Sequence, residues 1–193
     1  MKTDIVLAGV GGQGILTIAT ILGAAALKEN LYLKQAEVHG MSQRGGDVQS
    51  NLRISSEPIH SDLIPKNGAD LIVSLEPMEA LRYLPFLSKD GWIVTNSVPF
   101  VNIDNYPQQE EVEAALSLHG RLVMFDMEQV AKEVATQRSS NLVLLGAASP
   151  FIDIQPEKII EAITNVFASK GEKVVSANIA AFQAGRVRAT EQM

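Results

Sequence analysis

A mainly apolar run, a glycine-rich turn and a long apolar stretch follow one another at the start of the chain. Residues 4–8 (DIVLA) have the composition of a strand that is covered on both faces of a sheet. Residues 9–14 (GVGGQG) satisfy the pattern G-x-G-x-x-G. Residues 13–29 are apolar almost all round, which predicts a helix covered on more than one side. A strand, a glycine turn and a helix in this order predict an α/β protein.

Further apolar segments predict the remaining elements. We expect strands over residues 31–38, 48–55, 70–75, 91–96 and 121–126. We expect helices after Glu76-Pro77 and over residues 110–118, 127–136, 141–148, 156–169 and 177–189. This alternation predicts one Rossmann-like open sheet, mainly parallel, with helices on both faces.

No linker or repeat divides the chain, so residues 1–193 are predicted to form a single domain. The 46% share of hydrophobic residues is sufficient for a substantial core. The longest irregular connection, residues 97–109, is interpreted as a surface loop, with a partner-contact arm as the alternative.

Composition and charge exclude several classes of function. The net charge of −6 and the absence of basic runs argue against nucleic-acid binding. The lack of cysteine excludes disulfides, thiol catalysis and a cysteine-ligated iron–sulfur cluster on this chain. The three histidines, His39, His60 and His119, do not have the spacing of helical zinc ligands, so we expect no metal site.

The beginning of the chain leads directly into a strand pattern and lacks the features of a signal peptide. The longest apolar run, residues 15–27, is too short to span a bilayer. We therefore expect a cytoplasmic protein without a membrane partner.

The glycine turn offers backbone N–H groups to an anion, because glycine allows close approach and the first N–H groups of a helix are unpaired. A dinucleotide site needs an acidic residue about 20 residues further on, and Glu37, the candidate, matches poorly. No Lys-Ser/Thr pair follows the glycines, which excludes a Walker phosphate loop. The first four residues of the turn also resemble the nucleotide turn of ubiquitin-activating-type adenylating enzymes.

Residues 39–47 (HGMSQRGGD) form a second unusual segment. Polar side chains and a fixed positive charge stand here among three glycines, which suits a phosphate, a carboxylate or a close subunit contact as well as an ordinary turn. Arg44 is the best candidate for an anion contact, because a guanidinium donates two parallel hydrogen bonds. His39 by itself is more typical of a hydrogen-bonded structural residue.

Three segments together resemble the gamma domain of pyruvate/ketoisovalerate ferredoxin oxidoreductases. They are residues 9–17 (GVGGQGILT), 37–55 (EVHGMSQRGGDVQSNLRIS) and 141–147 (NLVLLGA). The HGMSQRGG segment is most similar to the beta (small) subunit of indolepyruvate ferredoxin oxidoreductase. The resemblance extends over residues 4–188, and its specificity comes from the order and spacing of the two glycine motifs.

The resemblance implies a function within a complex. The family decarboxylates a 2-oxoacid oxidatively with coenzyme A, and forms an acyl-CoA, carbon dioxide and reduced ferredoxin. It implies that thiamine diphosphate and the iron–sulfur clusters lie on a large catalytic partner subunit. This chain is then expected to bind no cofactor alone, to contribute no catalytic residue or metal ligand, and to meet ferredoxin only through the complex.

The resemblance also implies where the chain faces its partner. We expect the glycine turn to form a backbone surface and the second segment to form its polar edge, next to coenzyme A, to thiamine diphosphate or only to the partner subunit. The predicted cofactor- or partner-facing residues are Gly9, Gly11, Gly12, Gln13, Gly14, His39, Ser42, Gln43, Arg44, Gly45 and Gly46. Asn141 and Asn178 are predicted to be helix caps, and Arg186 and Arg188 to suit a helix end.

Other functions stay open from the residues alone. They are a stand-alone nicotinamide dehydrogenase, an ATP-dependent adenylating enzyme and a non-catalytic scaffold. Within the oxidoreductase interpretation, aryl pyruvates such as indolepyruvate are favoured over pyruvate and 2-oxoglutarate as substrates.

Overall fold

A computed structural model shows the fold of the chain and describes residues 1–39, 46–101 and 103–193. The strands are β1 (Lys2–Val10), β2 (Tyr32–His39), β3 (Asp47–Ser55), β4 (Ala69–Ser74), β5 (Leu87–Asn96) and β6 (Leu122–Phe125). The helices are α1 (Ile15–Lys28), α2 (Pro77–Arg82), α3 (Gln109–Ser117), α4 (Met127–Val134), α5 (Ser140–Ala148), α6 (Pro156–Phe167) and α7 (Glu172–Thr190).

The strands form one sheet in the order β2-β3-β1-β4-β5-β6. Strands β1, β4, β5 and β6 pair in parallel, whereas β3 is antiparallel to both of its neighbours, β1 and β2. A parallel crossover needs a dozen or more residues, and only residues 40–46 separate β2 from β3, so these two strands pair as a hairpin. The predicted mainly parallel open sheet is confirmed, with β3 as its one reversed strand among the described residues.

Helices cover both faces of the sheet, as predicted. Ile5 and Leu7 of β1 pack into a core with α1, α4, α5, α6 and α7. Val6 and Ala8 point to the opposite face, where α2 and α3 pack. This two-sided burial is the reason that residues 5–8 of β1 form a continuous apolar run. In the described part of the chain, no helix is both long enough and apolar enough to cross a membrane.

Helices α5 and α7 cross with their backbones in direct contact. A Cβ atom added at Gly146 would lie 1.9 Å from the carbonyl oxygen of Phe182 on α7. A Cβ atom added at Gly185 would lie 2.0 Å from the carbonyl oxygen of Val143 on α5. The two glycines therefore determine how closely these helices approach.

The two predicted asparagine caps are wrong. Helix α5 is preceded by Ser139, so Asn141 lies inside it, and α7 begins at Glu172, so Asn178 also lies inside its helix. The side chain of Asn178 instead accepts a hydrogen bond from the Ser139 hydroxyl at 3.1 Å. Both asparagines are buried, and their tertiary contacts outweigh the local preference for a cap.

The two C-terminal arginines differ from each other. Arg188 lies in the last turn of α7, as the helix-end prediction requires, and forms an ion pair with Glu191. Arg186 lies further inside the helix and donates a hydrogen bond to the Ser149 hydroxyl at 2.8 Å. Arg186 therefore joins α7 to the turn that follows α5.

Candidate functional site

The two motif segments meet at one edge of the sheet. Val10 ends β1 at this edge, and Asp47, which begins the reversed strand β3, pairs directly with it. His39 ends β2 at the same edge and pairs with Val48. The reversal of β3 thus places Gly46 beside the glycine turn, with His39 at the same edge one strand further away. Residues 40–45 lie outside the described residues.

A cavity of about 180 Å³ lies at this edge. The helices that follow β1 and β4 pack on opposite faces of the sheet, and the cavity opens between the ends of these two strands. Open α/β sheets bind ligands at such a switch point. The cavity is lined by Val10, Asp47, Glu76, Met78, Glu79, Arg82, Ile103 and Tyr106.

The glycine turn has a backbone conformation that requires glycine. Gly12 and Gly14 have φ angles of +103° and +81°, a region that other residues rarely adopt. The Gly11 N–H donates to the carbonyl oxygen of Gly46 at 2.9 Å. The first motif is therefore hydrogen-bonded directly to the last glycine of the second.

The side chain of Gln13 is engaged within the fold. Its Oε1 accepts from the Val10 N–H at 2.7 Å, and its Nε2 donates to the Leu75 carbonyl oxygen at 3.3 Å. Gln13 thereby connects the glycine turn to the end of β4. Its backbone N–H also donates within the turn, to the Val10 carbonyl oxygen at 3.1 Å.

Asn141 supports the same turn from α5. Its Nδ2 donates to the carbonyl oxygen of Gly14 at 3.3 Å, and a Cβ atom on Gly14 would lie only 2.7 Å from that nitrogen. The Asn141 side chain is buried, and its Oδ1 has no hydrogen-bond partner in the described structure. The contact joins the NLVLLGA segment to the glycine turn.

Three carboxyl groups and two tyrosines surround the cavity in a connected network. Tyr83 donates to Asp47 Oδ2 at 2.8 Å, and Tyr106 donates to Oε1 of Glu76. Glu76 is 1% exposed and also caps α2 by accepting from the Glu79 N–H at 2.8 Å. Arg82 pairs with Glu79 through Nε and Oε2 at 2.7 Å.

Burial raises pKa values within this network. It raises the pKa of the Glu79 carboxyl above its ordinary value; Arg82 opposes the shift and Asp47 reinforces it. Oδ1 of Asp47 is buried and has no partner among the described residues, so a proton on Glu79 would supply the missing donor. Burial, followed by hydrogen bonds to Asp47 and Glu76 respectively, also raises the pKa values of Tyr83 and Tyr106, so both stay neutral donors.

This arrangement does not suit a nucleotide. Among its described lining residues the cavity has three carboxyls and one guanidinium, and its volume is below the roughly 300 Å³ at which ligand pockets begin. Glu37 lies on β2, which β3 separates from β1, whereas the ribose-binding acid of a dinucleotide fold is on the strand next to β1. The described residues also include no group of three metal-ligating side chains.

The structure brings together part of the predicted site. Gly9, Gly11, Gly12, Gln13, Gly14 and Gly46 lie at the edge described above, as does the backbone of His39. Ser42, Gln43, Arg44 and Gly45 lie outside the described residues. Whether these residues face a cofactor or a partner stays a prediction.

Sequence reasoning missed the acidic side of the cavity. Asp47 was noted only as the end of the second motif, and Glu79, Tyr83 and Tyr106 were not singled out. One signal was available, since Glu76 follows a buried parallel strand at the edge where ligands bind. Tyr106 lies in an irregular segment, where no periodicity indicated its contact.

Comparison with known proteins now places the chain in a class. Residues 4–187 match the pyruvate ferredoxin/flavodoxin oxidoreductase family, and the chain belongs to that family.

Two relatives make the comparison more specific. The chain is 38% identical to the indolepyruvate oxidoreductase subunit IorB of Pyrococcus horikoshii, with 98% of this chain and 96% of the relative aligned. It is equally 38% identical to IorB of Thermococcus kodakarensis, over the same shares. The resemblance seen in the sequence motifs is confirmed.

A solved structure shows the same fold within a longer polypeptide. The 2-oxoglutarate:ferredoxin oxidoreductase from Magnetococcus marinus, solved with 2-oxoglutarate, coenzyme A and succinyl-CoA bound, superposes with a TM-score of 0.77 at 23% identity. The alignment covers 98% of this chain but only 31% of that polypeptide. The domain formed by this chain therefore has, in that protein, further polypeptide attached to it.

Proposed function

We propose that this chain is the small subunit of a 2-oxoacid:ferredoxin oxidoreductase of the indolepyruvate type, acting in the cytoplasm. The complex would convert a 2-oxoacid and coenzyme A into an acyl-CoA and carbon dioxide, with electrons passing to ferredoxin. The observation that carries the proposal is the 38% identity to IorB over 98% of the chain.

In this proposal the redox groups belong to a large partner subunit. Thiamine diphosphate would stabilise the carbanion formed on decarboxylation, and iron–sulfur clusters would carry the electrons to ferredoxin. The absence of cysteine from this chain fits that division of labour. Coenzyme A is the proposed co-substrate, as its presence in the Magnetococcus marinus structure suggests by analogy.

The chain's own part is to present a rigid backbone surface at the site edge. Gln13 and Asn141 hold the glycine turn from inside, so its outer N–H groups keep their orientation. The Gly11–Gly46 hydrogen bond aligns the second motif with the turn. Such a surface positions a partner or co-substrate without taking part in bond breaking.

The test is to express the chain with and without the large subunit encoded by the same organism, under anaerobic conditions. We expect the pair to co-purify, to contain iron and thiamine diphosphate, and to reduce ferredoxin or methyl viologen when indolepyruvate and coenzyme A are supplied. The isolated chain should be inactive. Full activity of the isolated chain, or failure of the pair to associate, would rule the proposal out.

Substrate class is tested on the same complex. We expect a higher kcat/KM with indolepyruvate and phenylpyruvate than with pyruvate or 2-oxoglutarate. Calorimetry of the isolated chain with NAD, and an ATP–pyrophosphate exchange assay, serve as controls for nucleotide-dependent functions. Tight NAD binding or measurable exchange would favour those functions instead.

A further inference from the structure

Three exposed apolar side chains lie beside the candidate site, on the connection between β5 and α3. Phe100, Val101 and Ile103 are 47%, 67% and 41% exposed. We call these three residues the apolar arm. Scattered apolar residues on a surface need no explanation, but a cluster next to a ligand-binding edge is typical of an interaction site.

The backbone around the apolar arm is anchored by one buried carboxylate. Oε1 of Glu76 accepts the Phe100 N–H at 3.3 Å on one side of the arm. The same oxygen accepts the hydroxyl of Tyr106 on the other side. Because Glu76 is 1% exposed and also caps α2, it ties the arm to the end of β4. Phe100 at the start of the arm and Tyr106 beyond its end are therefore both held by Glu76.

The apolar arm is continuous with the edge that carries the glycine turn. Ile103 lines the same cavity as Val10, which immediately precedes Gly11. A partner that covers the turn would meet the arm at the same time. Together, the two features form one contiguous surface with a backbone part and an apolar part.

The surroundings of the arm indicate the chemistry of its partner. Residues 97–118 contain four acidic residues and no lysine or arginine. Asp104, Glu110 and Glu111 are exposed. A partner that complements this surface has an apolar recess bordered by basic side chains.

We propose that the apolar arm docks into such a recess on the large catalytic subunit. This inference rests on the proposed function, which supplies that partner. The arm contributes affinity through apolar burial, and the acidic residues around it accelerate association by electrostatic attraction. It takes no part in the chemical step.

The first test replaces the arm while leaving the fold intact. The variant F100S/V101S/I103S removes three exposed apolar side chains and should weaken binding to the large subunit about 100-fold. The matched control L27S/V174S/V187S removes three apolar side chains that are 64%, 36% and 59% exposed on α1 and α7. The control should bind like the wild-type chain. The double variant F100S/V101S leaves Ile103 in the cavity lining. At concentrations that saturate binding, it should reach wild-type turnover.

A second variant tests the charges. D104N/E110Q/E111Q should lower the association rate at low salt and flatten its dependence on ionic strength, because screening acts on exposed charges. If the wild-type chain binds and activates the large subunit but the arm variant binds equally well, the docking inference is wrong and the proposed function stands. If the wild-type chain does not bind at all, the proposed function itself fails.

Discussion

The glycine turn requires a residue without a Cβ atom at Gly14. Its φ of +81° is unfavourable for any residue with a Cβ atom, and Asn141 occupies the space where that atom would lie. The substitution Gly14→Ala should therefore lower the free energy of unfolding by about 2–3 kcal/mol, combining backbone strain with the close contact. Urea denaturation followed by circular dichroism measures this loss.

Gly12 provides the matched comparison. Its φ of +103° is also unfavourable, but a Cβ atom there would meet nothing within 4 Å. Gly12→Ala should then lower the free energy of unfolding only through backbone strain, by about 1–2 kcal/mol. In a double-mutant cycle, Asn141→Ala should recover part of the Gly14→Ala loss, because it removes the side chain in contact. Strict additivity of the two changes would show that the contact is unimportant.

Glu79 gives the site a dependence on pH. Its pKa in the native state is raised, so the stability gained from its protonated form is fully present below the unfolded pKa, about 4.3, and is lost as pH rises through the raised native value. Glu79→Gln keeps the neutral form at every pH. The Tm of the wild-type chain should therefore fall relative to that of this variant as the pH rises through that window.

Thermal scans at closely spaced pH values check this expectation. Glu161→Gln is a suitable control, because Lys28 lowers the pKa of that exposed carboxyl and the opposite sign is expected. A wild-type-minus-E79Q difference in Tm that stays constant with pH would contradict the role assigned to Glu79.

At the scale of elements, the crossing of α5 and α7 is so close that it leaves no room for a Cβ atom at Gly146 or Gly185. Gly146→Ala would place a methyl group 1.9 Å from a backbone carbonyl oxygen, which has no rotamer to move into. We expect a loss of about 3 kcal/mol or more in the free energy of unfolding, although alanine favours a helix over glycine. Chemical denaturation measures the change.

Gly23 on α1 is the control for this substitution. A Cβ atom there would meet only the Cδ2 of Leu33 at 3.0 Å, the end of a flexible side chain. Gly23→Ala should change stability by no more than about 1 kcal/mol, since helix propensity offsets the contact. Equal losses at Gly23 and Gly146 would mean that the helix crossing is less constrained than its geometry indicates.

Elements also differ in how well the sequence predicted them. The strand and helix patterns placed nearly every element within a few residues, because amphipathic or continuous apolar patterns report burial directly. The predicted start of α7 at residue 177 is too late, because the helix begins at Glu172 and includes Val174 and Val175. The asparagine caps failed because a cap preference is weaker than the burial of two asparagines against neighbouring helices.

At the scale of the whole molecule, the reversed strand β3 determines where the functional face lies. It begins at the edge at which β1, β4 and β5 end, directly after the second motif, and so places Gly46 in contact with Gly11. Helices α6 and α7 pack on one face of the sheet, away from the acidic cavity between β1 and β4. The acidic cavity and the glycine turn therefore lie at one edge of the sheet, and α6 and α7 cover one of its faces.

This division predicts a pattern of hydrogen exchange. On binding of the large subunit, amide exchange should slow in residues 9–14 and 97–106, which form the proposed interface. Residues 156–190, on α6 and α7, should exchange at an unchanged rate. Mass spectrometry of the isolated chain and of the complex makes the comparison. Protection confined to residues 156–190 would place the interface on α6 and α7 and contradict the prediction.

The sequence was sufficient to predict the family, the α/β class and the two glycine motifs. Each depends on local patterns, either the periodic burial of apolar residues or a backbone conformation that favours glycine. The acidic cavity could not be predicted from the sequence. Asp47, Glu76 and Tyr106 come from three separate segments, and their hydrogen bonds exist only because β3 reverses and Phe100 and Tyr106 meet Glu76 after the end of β4. Contacts between distant segments depend on packing geometry, which no local pattern encodes, and so the tertiary structure alone decided them.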